Sequence, residues 1–120
     1  MPRLFTQEHE WIDTQDGVAT VGITDHAQAQ LGDLVYIGLP EAGDTVSAGE
    51  PFADVESVKA VSEMTSPVTG RVSGINEGLL DSPELVNRSP YEAWFIRVED
   101  VTETVATLTA EEYRTQLPAE

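Results

Sequence analysis

The chain has 120 residues, no cysteine, 22 Asp and Glu against six Lys and Arg, and a formal charge of −16. The charge excludes nucleic acid and anionic membranes as partners, since both reward clustered basic residues, and points to proteins with basic surfaces. The missing cysteines exclude a disulfide framework and thiolate metal ligation. Five of the six basic residues are arginines, at 3, 71, 88, 97 and 114; Lys59 is the only lysine.

In chain order, the N-terminus has one basic residue and no apolar core segment, so no secretory signal is expected. No apolar run approaches the ~18 residues of a membrane span, and the expected location is the cytoplasm. Residues 17–23 read as a strand with Ala19, Val21 and Ile23 on one face and Val18, Thr20 and Gly22 on the other. Residues 25–31 read as a short helix, because Asp25 and Gln28 have capping-box spacing and Gly32 follows. Residues 34–39 form the next predicted strand, stopped by Pro40.

Residues 43–51 are rich in turn formers. Residues 52–64 hold no Gly, Asn or Pro, so local propensity draws one strand of about 13 residues, which exceeds the usual length. Ala53 and Val55 share one face, Asp54 and Glu56 the other. A turn follows at 66–70, then a strand at 71–75. Ser82-Pro83 suggests a helical turn over 83–87, and residues 93–98 a buried strand. Thr109 and Glu112 have capping-box spacing and open a C-terminal helix to about Gln116. Many short strands with regular turns predict a mainly β, single-domain barrel or sandwich over 1–120, with short helices after the first predicted strand and at the C-terminus.

The inventory does not favour catalysis by the chain itself. His9 and His26 are the only imidazoles, and no Gly-x-Ser-x-Gly, His-Glu-x-x-His or phosphate-loop pattern is present. Carboxylate pairs such as Glu8 and Glu10 arise easily in so acidic a chain, and no metal site is expected. Lys59 stands between Glu56 and Glu63. Acids around an amine favour its charged form, which suits neither a Schiff base nor spontaneous nucleophilic attack. They leave it available to an enzyme that acylates it.

Glu56-Ser57-Val58-Lys59-Ala60 resembles the lipoylation motif of the glycine cleavage H-protein family. The resemblance continues through His9-Glu10-Trp11, residues 18–28, Leu31-Gly32-Asp33, Leu39-Pro40-Glu41, residues 66–70 and 83–87, and Ser89-Pro90-Tyr91 before Trp94. It implies a flattened barrel-sandwich hybrid of the lipoyl and biotinyl type, with Lys59 at the tip of a tight hairpin near Val58. It further implies lipoate in amide linkage to Lys59. The arm would take an aminomethyl group from the pyridoxal-phosphate glycine decarboxylase to a tetrahydrofolate-dependent aminomethyltransferase. Dihydrolipoamide dehydrogenase would reoxidise it. A lipoate-attaching enzyme would be the fourth partner, and the carrier a non-catalytic monomer.

By the same resemblance, His9, Glu10 and Glu63 stand where the family shelters the loaded arm, although Glu10 reads equally well as a solvated surface acid. Gln30 stands where some members carry a histidine. Tyr91-Glu92-Ala93-Trp94 departs from the commoner Tyr-Gly-Glu-Gly-Trp. Trp11, Tyr91 and Trp94 are expected in the core. The rival readings are a lipoyl domain of a 2-oxo acid dehydrogenase complex, a biotin carrier, a lipoyl donor to other enzymes, and an unmodified interaction module. Asp-Lys-Ala or Met-Lys-Met would mark the first two, and neither is present.

Overall fold

The computed structural model describes residues 3–117. Two strands precede the first one expected: β1 (Leu4–Phe5) and β2 (Glu10–Gln15), followed by β3 (Val18–Ile23). The two-residue turn Asp16-Gly17 joins β2 to β3, with both residues at positive φ, the conformation that tight hairpins select. Helix α1 (Asp25–Leu31) comes next, then β4 (Leu34–Gly38), β5 (Thr45–Val46), β6 (Pro51–Ser57), β7 (Val61–Thr65) and β8 (Val68–Ile75). Two short helices, α2 (Gly78–Asp81) and α3 (Glu84–Arg88), lead to β9 (Ile96–Thr104) and α4 (Ala110–Gln116).

The strands form two antiparallel sheets. One runs β1-β2-β3-β9-β8-β5; the other, of three strands, runs β4-β6-β7. The inward faces are those that alternation predicts: Ala19, Val21 and Ile23 from β3, Ala53 and Val55 from β6. They meet Ile37, Val72, Phe95, Ile96 and Val98 in a shared core, which Leu79 and Val86 of α2 and α3 close at one end. Each large aliphatic side chain so buried contributes about 1.5–3 kcal/mol. The extents are 36 × 33 × 22 Å, the flattened shape of two sheets face to face.

A second cluster, Phe5, Trp11 and Tyr113, lies under α4 with Trp94, Leu108 and Leu117. Trp11 is buried as expected, its Nε1 donating to Pro90 O at 3.0 Å. Gly22 faces it across β2 and β3 and leaves no room for a Cβ. Trp94 is only half-buried, with Arg97 over its ring, and Tyr91 is exposed, correcting the expectation of core positions for both. Tyr91 uses its hydroxyl to accept from the Asp25 N–H at 3.1 Å.

Other boundaries moved for local reasons. The N-cap of α1 is Thr24, whose Oγ1 accepts from the Ala27 N–H; Asp25 instead accepts from the Gln28 side chain at 2.9 Å. The capping box at Thr109 and Glu112 is present as predicted. The predicted strand at 93–98 begins only at Ile96 and runs on to Thr104, since its exposed far half is held by pairing to β8 rather than by an apolar pattern. No helix among the described residues is long and apolar enough to cross a membrane.

Candidate functional site

The over-long run 52–64 is a hairpin. β6 ends at Ser57, β7 starts at Val61, and Val58-Lys59-Ala60 make the tip, with Glu56 opposite Val61. No turn residue is needed, because the Ser57 side chain does the shaping. Its Oγ accepts from the N–H groups of Lys59 (3.3 Å) and Ala60 (3.1 Å), while the Ser57 N–H donates to Ala60 O at 2.8 Å. Serine hydroxyls commonly support turns in this way. From outside the hairpin, Asp33 O accepts the Val58 N–H at 3.0 Å.

Lys59 is exposed, and its stem lies against Gly32 at the end of α1. A Cβ on that glycine would stand 3.2 Å from Lys59 Cε and 3.7 Å from Nζ. The ion pairs among the described residues are Arg3–Asp13 and Arg71–Glu99, so the Lys59 amine is in neither. The tip therefore offers one amine, unpaired and in water.

Around the tip, the small sheet turns two rows of residues outward: Tyr36, Glu56 and Val61, then Gly38, Asp54 and Glu63. A bulge between Leu34 and Tyr36 exposes both Val35 and Tyr36, while Leu34 and Ile37 stay buried. Glu63 thus faces a groove with Tyr36, Leu39 and Asp54.

Glu10 lies elsewhere. It lines a cleft of about 390 Å³ with Thr6, Glu8, Thr65, Ser66 and Val105, and is only 2% exposed. The solvated-surface reading is thereby corrected: the side chain is buried at the wall of a cleft. Glu10 Oε1 accepts from Thr6 Oγ1 at 3.0 Å and Oε2 from Thr65 Oγ1 at 2.9 Å. Burial pushes the carboxyl up to about 7; the two hydroxyl donors pull against that shift and neighbouring Glu8 adds to it. This group changes charge near neutrality.

His9 sits behind Glu10, in the left-handed region at φ 67. Its Nδ1 is 2.7 Å from the Tyr113 hydroxyl, which is 2.7 Å from Thr24 Oγ1, and its ring lies 4.6 Å from that of His26. Burial lowers the His9 pKa, and His26 lowers it further against the opposing pull of Glu8. The structure therefore gathers residues 56–60 in one hairpin, but puts His9, Glu10 and Glu63 in three different surroundings. Sequence reasoning missed Thr65, Tyr113 and Thr24 as partners, and missed Asp33 as the brace of the tip. No group of three or more His, Cys, Asp or Glu among the described residues could hold a metal ion.

The family profile described as Glycine cleavage H-protein matches residues 3–120. The chain belongs to that family. It is 55% identical over 111 residues to the glycine cleavage system H protein of Lachnoclostridium phytofermentans, covering 92% of this chain and 87% of that one. The protein of the same name from Bacillus cytotoxicus is 53% identical over 112 residues, covering 91% and 88%. The crystal structure of a glycine cleavage system H protein from Mycobacterium marinum superposes with a TM-score of 0.90 at 43% identity, covering 95% and 94%. The two-sheet, mainly β fold is that family's fold.

Proposed function

We propose that the chain is a single lipoyl-carrier domain of the glycine cleavage system, acylated with lipoate at Lys59. The observation that carries this reading is the exposed amine of the only lysine, in no ion pair among the described residues, at the tip of a hairpin braced by Ser57 and Asp33. The surroundings fit that group: the amine can enter another enzyme, and its stem rests on a glycine that adds no bulk. Lipoate would supply a dithiol–disulfide couple that carries an aminomethyl unit from glycine decarboxylase to the aminomethyltransferase and is reoxidised by dihydrolipoamide dehydrogenase.

The chain's own residues present and protect rather than react. Glu56, Ser57, Val58 and Ala60 form the modification motif, with Ser57 setting the turn. Acylation removes the one lysine charge, leaving the formal balance one unit below −16. Glu10, held by Thr6 and Thr65, gives the cleft a buried polar group, and a loaded arm lying there would be shielded in part from hydrolysis. His9 is held apart from that carboxyl, on Tyr113 and against His26. Glu63, on the outer face, meets a partner enzyme rather than the cleft.

The carrier is a cytoplasmic monomer whose partners are those three enzymes and a lipoate-attaching enzyme. The test is exchange of the glycine carboxyl carbon with bicarbonate by the matching decarboxylase. Lipoylated chain should support exchange and the Lys59→Arg chain should not. A chain that is lipoylated yet gives no exchange would instead be a lipoyl donor or relay protein.

A further inference from the structure

Asn87 is the last residue but one of α3 and its side-chain hydrogen bonds go to none of residues 56–60, yet that side chain fixes what they rest on. Oδ1 accepts the Leu34 N–H at 2.9 Å, and Nδ2 donates to Gly32 O and to Gln28 Oε1, each at 2.9 Å. Both amide donors are in use and the oxygen is engaged. The carbonyl of Gly32 and the amide of Leu34 can face only the nitrogen and the oxygen of that amide respectively, so its orientation is determined.

The residue between them is Asp33, whose carbonyl accepts the Val58 N–H at the hairpin tip. The other hydrogen bonds of residues 58–60 stay inside the hairpin, on Ser57 and Ala60. Gly32 is the floor under the Lys59 stem and stands at φ 85, a conformation without strong local preference of its own. Residues 32 and 33 are thus a short linker between α1 and β4, which one side chain spans from Gly32 to the first residue of the strand. Exposed tips belong to the least stable parts of a fold, and this tip depends on wherever Asp33 O is held.

We infer that Asn87 is a positioning residue for Lys59. By bridging Gly32 O and Leu34 N, it fixes the carbonyl that braces the tip and the surface along which the lysine stem lies. The inference rests on reading Lys59 as the acylated residue, since its consequence is a pre-set amine for the acylating enzyme. Ordering the tip beforehand removes an entropic cost from that encounter.

The experiment follows amide hydrogen exchange in the full chain by NMR, with lipoate ligase kinetics beside it, for wild type, Asn87→Ala and Asn87→Asp. Referenced to the core amide of Val98, the Val58 amide should exchange about five- to tenfold faster in Asn87→Ala, as for loss of one net hydrogen bond. Asn87→Asp keeps the acceptor for Leu34 N–H but sets a carboxylate oxygen against Gly32 O and Gln28 Oε1, and should also exchange faster than wild type. The ligase KM for the chain should rise several-fold with kcat little changed. An unchanged Val58 ratio in both variants, or faster exchange with unaltered KM, overturns the inference. If Asn87→Ala does not fold, Asn87→Asp decides alone. If wild type is not acylated at all, the carrier reading fails, and the exchange ratio still decides whether Asn87 holds the tip.

Discussion

Glu10 Oε2 and Thr65 Oγ1 meet at 2.9 Å, joining β2 of the large sheet to β7 of the small one. The contact sets a buried, titrating carboxyl of β2 against the far end of the strand that continues from the Lys59 hairpin. Few features of the sequence are as well concealed: Glu10 stands next to Trp11 in a strand whose first three residues are all buried, so β2 lacks the in–out alternation that would have revealed it.

Stability should depend on pH through Glu10. Its folded carboxyl titrates at about 7 and its ordinary value is 4.5, so between these the native state binds more protons than the unfolded chain. Stability from this group is fully present below about pH 4.5 and is lost as pH rises through 7. The swing is about 3 kcal/mol at most. Urea unfolding at pH 5 and pH 8 should show a larger loss on raising pH for wild type than for Glu10→Gln. Equal losses would remove Glu10 as the cause.

Gly22→Ala should be strongly destabilising. Its Cβ would come within 2.4–2.7 Å of the Trp11 ring, which is buried and tied to Pro90. Overpacking of this kind costs about 1–3 kcal/mol or more. Denaturation followed by tryptophan fluorescence checks the loss, and a near-native midpoint would show that the ring can move aside.

Tyr113→Phe keeps the stacked contact with Phe5 at 4.9 Å but removes the hydroxyl between His9 Nδ1 and Thr24 Oγ1. The part-buried His9 Nδ1 and the buried Thr24 Oγ1 each lose this partner, at about 1–3 kcal/mol. The expected result is a lower urea midpoint with an unchanged m-value, and a His9 imidazole resonance whose titration shifts. An unchanged His9 titration would mean the hydroxyl does not govern that ring.

Gly32→Ala should cost about 1–2 kcal/mol, mostly from forcing an L residue to φ 85. The 3.2 Å approach to Lys59 Cε is to a flexible stem that can swing away. Thermal unfolding measures the first effect. A displaced Lys59 side-chain resonance reports the second.

What the sequence made legible follows from where each determinant sits. The buried faces of β3 and β6 were readable because alternation is local. The Thr109–Glu112 cap was readable because both partners lie within one turn. The hairpin at Lys59 had no local turn signal in residues 52–64; its shape comes from a serine side chain and a carbonyl on another segment, and only the resemblance located it. The cap of α1 was displaced by one residue because Thr24 and Asp25 are both good caps, and the hydroxyl of Tyr113 favours Thr24. The separation of Glu63 from Glu10 was not legible, since the pairing that sets Glu63 beside Asp54 and brings Thr65 to Glu10 is a tertiary fact.

The function proposed above stands or falls with acylation at Lys59, which intact-mass analysis after co-expression with a lipoate ligase can read. One lipoyl addition is expected on the wild-type chain and none on Lys59→Arg. No addition to wild type, or an addition that survives Lys59→Arg, would contradict it.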